Sequence, residues 1–237
     1  VLPSKDLVQQ ILQLPSDSTL YWESQWIAYR ASTPQSEHKQ HIYLKEQPTF
    51  IQFPEDLLEA NSQALAYEIK PNTFDLKAFS ELGNTCINFQ NCYIDPSASI
   101  TGSILDASQG PIFIGKNVTL QIGTYMQGPA AILADSVTNL GAKIRPFTTI
   151  GPGCKVGGEI SASIFFPYSN KSHEGFIGNS IIGAFCNLGA LTTCSNVRND
   201  LKPVQLYNYA TNKPRKTGCK SFGILLGDYV TTGIHTK

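Results

Sequence analysis

Apolar residues return at every sixth position between Ile114 and Val156: Ile114, Leu120, Met126, Ile132, Ile144, Ile150 and Val156, with only Thr138 breaking the column. A period of six matches neither the 3.6 of an amphipathic helix nor the 2 of a lone half-buried strand, so it is a structural repeat. Glycine often follows the apolar member, as in Ile114-Gly115, Ile150-Gly151, Val156-Gly157, Ile177-Gly178, Ile182-Gly183, Leu188-Gly189 and Leu226-Gly227. A short strand ending in an inward aliphatic, then a small residue that lets the backbone turn, describes one side of a β-solenoid. Three such sides close one coil, and the even step keeps each inward side chain above its counterpart.

A second column is expected after a two-residue register change: Ile164, Asn170, Phe176, Ile182, Leu188 and Cys194, with Asn170 as its weak member and a bulge near Pro167-Tyr168-Ser169. Upstream, Ile94, Ile100 and Ile112 lie two residues out of phase with Ile114, so an insertion is expected between Thr101 and Pro111. The repeat lapses for roughly 25 residues after Asn196, through Tyr207, Tyr209 and Lys213–Lys216, and resumes at Leu226-Gly227. That interval is too long for a turn within a coil and reads as an excursion, where function is often carried.

Residues 1–90 have a different texture. Ser4 is placed to cap a helix with Leu7, Val8, Ile11 and Leu12 on one face, ending before Pro15. Thr19–Trp22 and Trp26–Arg30 predict an aromatic hairpin, Ser32–Gln40 a loop, and Pro54 to about Ala66 a second helix whose apolar set is Leu57, Leu58 and Leu65. A boundary is set near Asn84–Asn91, giving an α/β segment over 1–90 and a coil domain over 91–237. Val1 in place of Met, and a last residue just after a resumed coil with no capping element, point to a fragment of a longer polypeptide, cut short at its C-terminal end.

The formal net charge is zero and no Lys/Arg run stands out, which argues against non-specific nucleic-acid binding. No apolar stretch is long enough for a membrane span and no signal-peptide pattern opens the chain, so a soluble cytoplasmic protein is expected. Six cysteines without C-x-x-C or zinc-type spacing read as free thiols. His38 and His41 share the polar run Glu37–His41 and lack a third ligand, so no metal is assigned. Gly151-Pro152-Gly153 with Gly157 imitates a phosphate loop, yet coil corners account for these glycines.

The stretch Asn170-Lys171-Ser172-His173-Glu174-Gly175-Phe176-Ile177-Gly178, followed by Ile182-Gly183 and Asn187-Leu188-Gly189-Ala190, resembles the acetyltransferase half of the bifunctional N-acetylglucosamine-1-phosphate uridylyltransferase. The whole chain is similar to sugar nucleotidyltransferases built on that two-domain plan. The resemblance covers about Ile94 to Lys237, and residues 1–90 are similar to the end of the nucleotidyltransferase domain. It implies a mostly β fold, a left-handed parallel β-helix of hexapeptide repeats that assembles as a homotrimer, with acetyl-CoA along the groove between subunits and a sugar phosphate or nucleotide sugar as acceptor. It also implies roles. His173 falls on the catalytic base, Asn187 on an acceptor-binding Asn, Ala190 on a residue near the acyl group, Asn196 on the Asn of a coil turn, Lys202 on a Lys of the site, and Arg145 on an Arg that holds the acceptor's phosphate. Phe176 and Val197 stand where the family has tyrosines, and Ser163 falls near the place of a phosphate-binding Lys. No glycine-rich L-x-x-G-x-G-T-R-type loop occurs in residues 1–90, so nucleotide transfer is not expected of this stretch.

The residue types suit the chemistry. An amine or hydroxyl attacking a thioester loses a proton, which a near-neutral imidazole accepts, and backbone N–H groups such as those of Leu188-Gly189-Ala190 are suited to an oxyanion. Taken alone, a single His on a repeat is a surface or packing residue, Asn187 and Asn196 are corner residues that stack, and Arg145 and Lys202 are solvated charges. A non-catalytic trimerising or ligand-binding scaffold is therefore the alternative to an acyltransferase.

Overall fold

The computed structural model describes residues 4–33, 40–48, 50–72 and 74–237. The chain divides into two compact units, Val1–Asp56 and Leu57–Lys237.

In the first unit the Ser4 hydroxyl accepts the Leu7 N–H at 3.1 Å and starts α1 (Lys5–Leu12). The expected hairpin is present as β1 (Ser18–Trp22) antiparallel to β2 (Gln25–Arg30). A further strand, β3 (Gln40–Tyr43), runs parallel to β1 and makes β1 the central strand. Leu7, Leu14 and Leu20 are buried together, with Ile27 and Ile42 packed on them. Residues 34–39, and with them His38 and most of the expected loop, lie outside the described residues. His41 is an exposed member of β3, its ring 5.1 Å from that of Tyr21.

α2 (Pro54–Tyr67) starts at the expected proline, and it buries Ala60 and Leu65. Its Asn61 amide accepts from the Thr149 hydroxyl at 2.6 Å and donates to the Phe147 carbonyl at 3.0 Å, which fastens the helix to one side of the solenoid. A short helix, α3 (Leu76–Glu81), begins at Asp75, whose carboxylate accepts the Lys77 and Ala78 N–H groups. Phe79 on α3 is buried against the first coil with Phe74 beside it at 5.5 Å, so this end of the solenoid core is covered.

The coils begin at Thr85–Ile87. Their strands stack into three parallel sheets. The first side runs through Ile104–Asp106, Tyr125–Gln127, Lys143–Ile144, Glu159–Ser161 and Phe176–Gly178; the second through Cys92–Ile94, Ala130–Ile132, Thr148–Ile150, Ile164–Phe165 and Ile181–Ile182; the third through Ser99–Ile100, Val137–Thr138, Lys155–Val156, Asn170–Lys171 and Asn187–Leu188. This is the left-handed parallel β-helix of the resemblance. Every member of the six-residue column from Ile114 to Val156 is buried, Thr138 included. The Thr138 hydroxyl meets that of Thr124 at 2.8 Å inside the coil, so the one polar member of the column is satisfied there.

Ile94 stacks on Ile114 and Ile100 on Leu120, which confines the expected insertion to the residues between Asp106 and Ile112. The excursion is an antiparallel hairpin, Gln205–Asn208 with Lys213–Lys216, after which Leu225-Leu226 stacks directly on Ile181-Ile182.

The first three members of the second column differ from expectation by one residue, whereas Ile182 and Leu188 are buried as expected, with Cys194 packed against the same core. Phe165 pairs with Ile150, Lys171 with Val156 and Ile177 with Ile160, and all three are buried, while Asn170 and Phe176 face outward. Two consecutive corners are short: four residues separate Val156 from Ile160 and five separate Ile160 from Phe165. The combined shortening is odd, and an odd shift exchanges the two faces of a strand. Thus a lysine stands where the column wants an aliphatic.

Truncating an in-phase residue should cost far more than truncating an apolar residue two places out of phase. Ile132→Ala is expected to lose about 2–5 kcal/mol in urea unfolding, and Ile122→Ala, which is 60% exposed, within about 0.5 kcal/mol of zero.

Candidate functional site

His173 lies on the corner that leads from the third side, Asn170–Lys171, to the first side, Phe176–Gly178, and is exposed. Asn187 stacks on Asn170 in the next coil. The Ser172 hydroxyl donates to Asn170 Oδ1, and Asn170 Nδ2 donates to Asn187 Oδ1 at 2.7 Å. Asn139 Nδ2, from two coils below, holds the Ser172 carbonyl at 2.8 Å. With its oxygen occupied, Asn187 presents N–H donors, which suit an acceptor group on a ligand.

Ala190 occupies the corresponding corner one coil on: the Leu191 N–H donates to the Glu174 carbonyl at 2.9 Å, and the Ala190 carbonyl accepts the His235 N–H at 2.8 Å. Of the expected oxyanion donors, the Gly189 N–H is already committed to Thr232, to its carbonyl at 3.2 Å and its hydroxyl at 3.1 Å. His173 and Ala190 therefore lie at one edge of the first side, on the corner where the third side turns into it, and Asn187 lies on the third-side strand that leads into that corner.

Asn196 and Arg145 belong to the opposite edge. Asn196 Nδ2 donates to Asn179 Oδ1 at 2.6 Å, and the Asn196 carbonyl accepts the Phe222 N–H. A Cβ placed on Gly178 would come within 2.5 Å of the Phe176 ring and 3.0 Å of Asn196 Nδ2, so ring and amide border the same patch. Arg145 follows the strand Lys143–Ile144, two coils before Phe176–Gly178 and three before Asn196, its N–H bonded to the Ile160 carbonyl at 2.7 Å and its side chain exposed. At about 4.8 Å per coil, two coils are roughly 10 Å along the axis.

Lys202 lies on the excursion, 76% exposed, with Nζ 3.8 Å from the Asp200 carboxylate. Arg198 grips the same carboxylate through two 2.8 Å hydrogen bonds, which hold Asp200 down to about 2. Ser163 is wholly buried: its hydroxyl donates to the Ser161 carbonyl and accepts the Ser180 N–H, so it is spent on the coil. Val197 forms a bridge with Ser221 at the base of the excursion. Gly151-Pro152-Gly153 lies between Thr148–Ile150 and Lys155–Val156, at a coil corner as expected.

Sequence reasoning missed Asn179, Ser172 and Asn139 as partners of the site, and Lys171 altogether. Asn170 was visible only as a weak column member. The Lys171 side chain is 1% exposed, and its ammonium donates to the carbonyls of Gly157 at 2.9 Å and His173 at 2.8 Å. Burial pushes this ammonium down to about 8, against a weaker opposing pull from Glu174.

A depressed lysine binds fewer protons folded than unfolded between about pH 8 and 10.5, so stability rises with pH across that window. The wild-type chain is expected to gain on the order of 2–3 kcal/mol there relative to Lys171→Met, read as the difference between the two urea-unfolding profiles. Parallel profiles would show that Lys171 titrates as it does in water.

No family model matches the chain. Among curated proteins, it is 36% identical over 98 residues to the bifunctional protein GlmU of Methanocaldococcus jannaschii, a match spanning 40% of this chain and 23% of that protein. It is 30% identical over 129 residues to the bifunctional sugar-1-phosphate nucleotidylyltransferase/acetyltransferase of Sulfurisphaera tokodaii, covering 54% of the chain and 32% of the relative. A third match, 32% over 136 residues, is to the uncharacterized acetyltransferase YaiX of Escherichia coli, covering 55% of the chain and 57% of that protein. The chain thus corresponds to only part of each relative, from about a quarter to about half of its length. Over its C-terminal region it is homologous to proteins named GlmU and to a bifunctional sugar-1-phosphate nucleotidylyltransferase/acetyltransferase.

Proposed function

We propose that the β-helix transfers an acetyl group from acetyl-CoA to an amine or hydroxyl of a sugar phosphate or nucleotide sugar, with His173 as general base. The observation that carries this reading is the corner that bears His173 and, one coil on, Ala190, with Asn187 on the strand leading into it, in a region similar to proteins named as acetyltransferases. The acceptor's N–H or O–H faces His173, and its lone pair attacks the thioester carbonyl as the imidazole takes the proton. The carbonyl oxygen becomes an oxyanion near the Ala190 corner. Collapse breaks the C–S bond, and the coenzyme A thiolate leaves with a proton returned from the imidazolium.

Asn187 offers N–H donors to an acceptor oxygen, and Arg145 and Lys202 offer cationic heads to phosphate. In one subunit the two edges stand apart, separated by the width of the first side. A homotrimer, which sets a neighbour's surface into the groove, is therefore part of the proposal. Phe176 removes a hydroxyl from the patch beside Asn196, so the acceptor differs from one that needs a tyrosine there. Residues 1–90 are taken as the end of a nucleotidyltransferase domain. A scaffold role without catalysis is the second reading, favoured by the burial of Ser163 and by Val197 and Phe176 in place of polar groups.

Coenzyme A release from acetyl-CoA, followed over a panel of amino-sugar 1-phosphates that includes glucosamine 1-phosphate, tests the choice. His173→Ala is expected to lower kcat by about 10²–10⁴-fold while the KM for acetyl-CoA stays within a few-fold. Equal turnover in wild type and variant would remove His173 from the chemistry. Light scattering should give about three times the 25.9 kDa chain mass; a monomer would remove the composite groove.

A further inference from the structure

We propose that Lys171 is a positioning residue: from inside the coil its ammonium draws the Gly157 and His173 carbonyls together and so fixes the corner that carries the His173 imidazole. The functional half of this statement rests on the reading of His173 as the base; the structural half does not.

The corner is built around the ammonium. The chain crosses from Val156 to Ile160 in four residues, through Gly157 and Gly158, where Leu188 to Cys194 takes six. Gly157 and Lys171 exchange two contacts: the Gly157 N–H donates to the Lys171 backbone carbonyl at 2.7 Å, and the Gly157 carbonyl accepts from Lys171 Nζ at 2.9 Å. Gly158 has φ +68°, and a Cβ there would stand 2.9 Å from Lys171 Nζ and 2.7 Å from the Gly175 carbonyl. The short glycine corner therefore leaves a space bounded by backbone, and the ammonium fills it.

Its second acceptor is the His173 carbonyl at 2.8 Å, two residues along from Lys171 itself. That bond fixes the plane of the His173–Glu174 peptide, while Asn139, two coils below, holds the adjacent Ser172 carbonyl at 2.8 Å. Two consecutive carbonyls on either side of the His173 Cα are thus pinned by side chains of the solenoid. The His173 side chain is exposed on this corner, and the clamp orients it through the backbone. The in-register residues at this level, Val156 below and Leu188 above, are aliphatic. An aliphatic side chain at 171 would satisfy the core, which makes the lysine an addition that packing alone does not require.

The test compares wild type with Lys171→Met and, as a β-branched second variant, Lys171→Ile. Hydrogen exchange of the peptide spanning Asn170–Gly178 is followed beside that of Lys143–Val156, which reports whether the coils remain folded. Both variants are expected to keep the exchange of Lys143–Val156 unchanged and to exchange at least tenfold faster within Asn170–Gly178. With acetyl-CoA and an accepted sugar phosphate, kcat is expected to fall at least tenfold while the KM for acetyl-CoA moves less than twofold. Unchanged exchange in a folded variant would overturn the clamp, and so would failure of both variants to fold. Faster exchange with kcat unchanged would overturn the positioning role. The exchange measurement is independent of turnover: His173→Ala with full activity would sink the reading of His173 as base and leave the clamp to be decided by exchange alone.

Discussion

Stacking of identical strand positions governs this fold. Each coil passes its inward side chain to the coil above, and backbone hydrogen bonds between coils exist only while that register holds. A coil therefore cannot be judged by its own sequence; its neighbours decide what it must present. Thr138 shows the constraint at its mildest, a polar residue tolerated because Thr124 meets it inside. Lys171 shows it at its most severe, since the register delivers a lysine to the interior and the corner has to provide acceptors for it.

The same constraint explains what was legible. The column from Ile114 to Val156 could be read because every coil there keeps the same length, so period and burial coincide. The first half of the next column lies one residue away from the apolar pattern, because Ile164 and Phe176 carry a stronger hydrophobic signal than Phe165, Lys171 and Ile177 taken together, while Ile182 and Leu188 are buried where the period puts them. A buried lysine carries no hydrophobic signal. α3 escaped because six residues give less than two helical turns and because, although its Asp75 cap is local, the burial of Phe79 under the first coil is tertiary. β3 escaped for a related reason: its partner, β1, lies some twenty residues away and its own sequence is polar.

For the candidate site, residue identity came from resemblance and geometry came from the coils. His173, Asn187 and Ala190 come to one region because a corner stacks on the corner of the next coil, which no local motif states. The pairs Asn170–Asn187 and Asn179–Asn196 were invisible for the same reason, each joining residues 17 apart. Those pairs matter chemically. Each amide spends one end on its partner, so Asn187 faces outward as a donor while Asn196 keeps an acceptor oxygen. Polarity at the two edges is thus set by the scaffold before any ligand arrives.

The excursion after Asn196 leaves and rejoins the solenoid without disturbing it: Leu225-Leu226 takes its place on Ile181-Ile182 as if no residues intervened. Closing a longer loop at fixed ends costs only about 0.6 kcal/mol for each doubling of its length. The hairpin is accordingly decoupled from the register that everything else obeys. Lengthening, shortening or resequencing it leaves the coils below it intact, whereas a single residue gained or lost within a strand turns the rest of that strand's face inside out. Variation in what this protein touches therefore has an inexpensive place to accumulate, on an arm that the body of the fold does not need to know about.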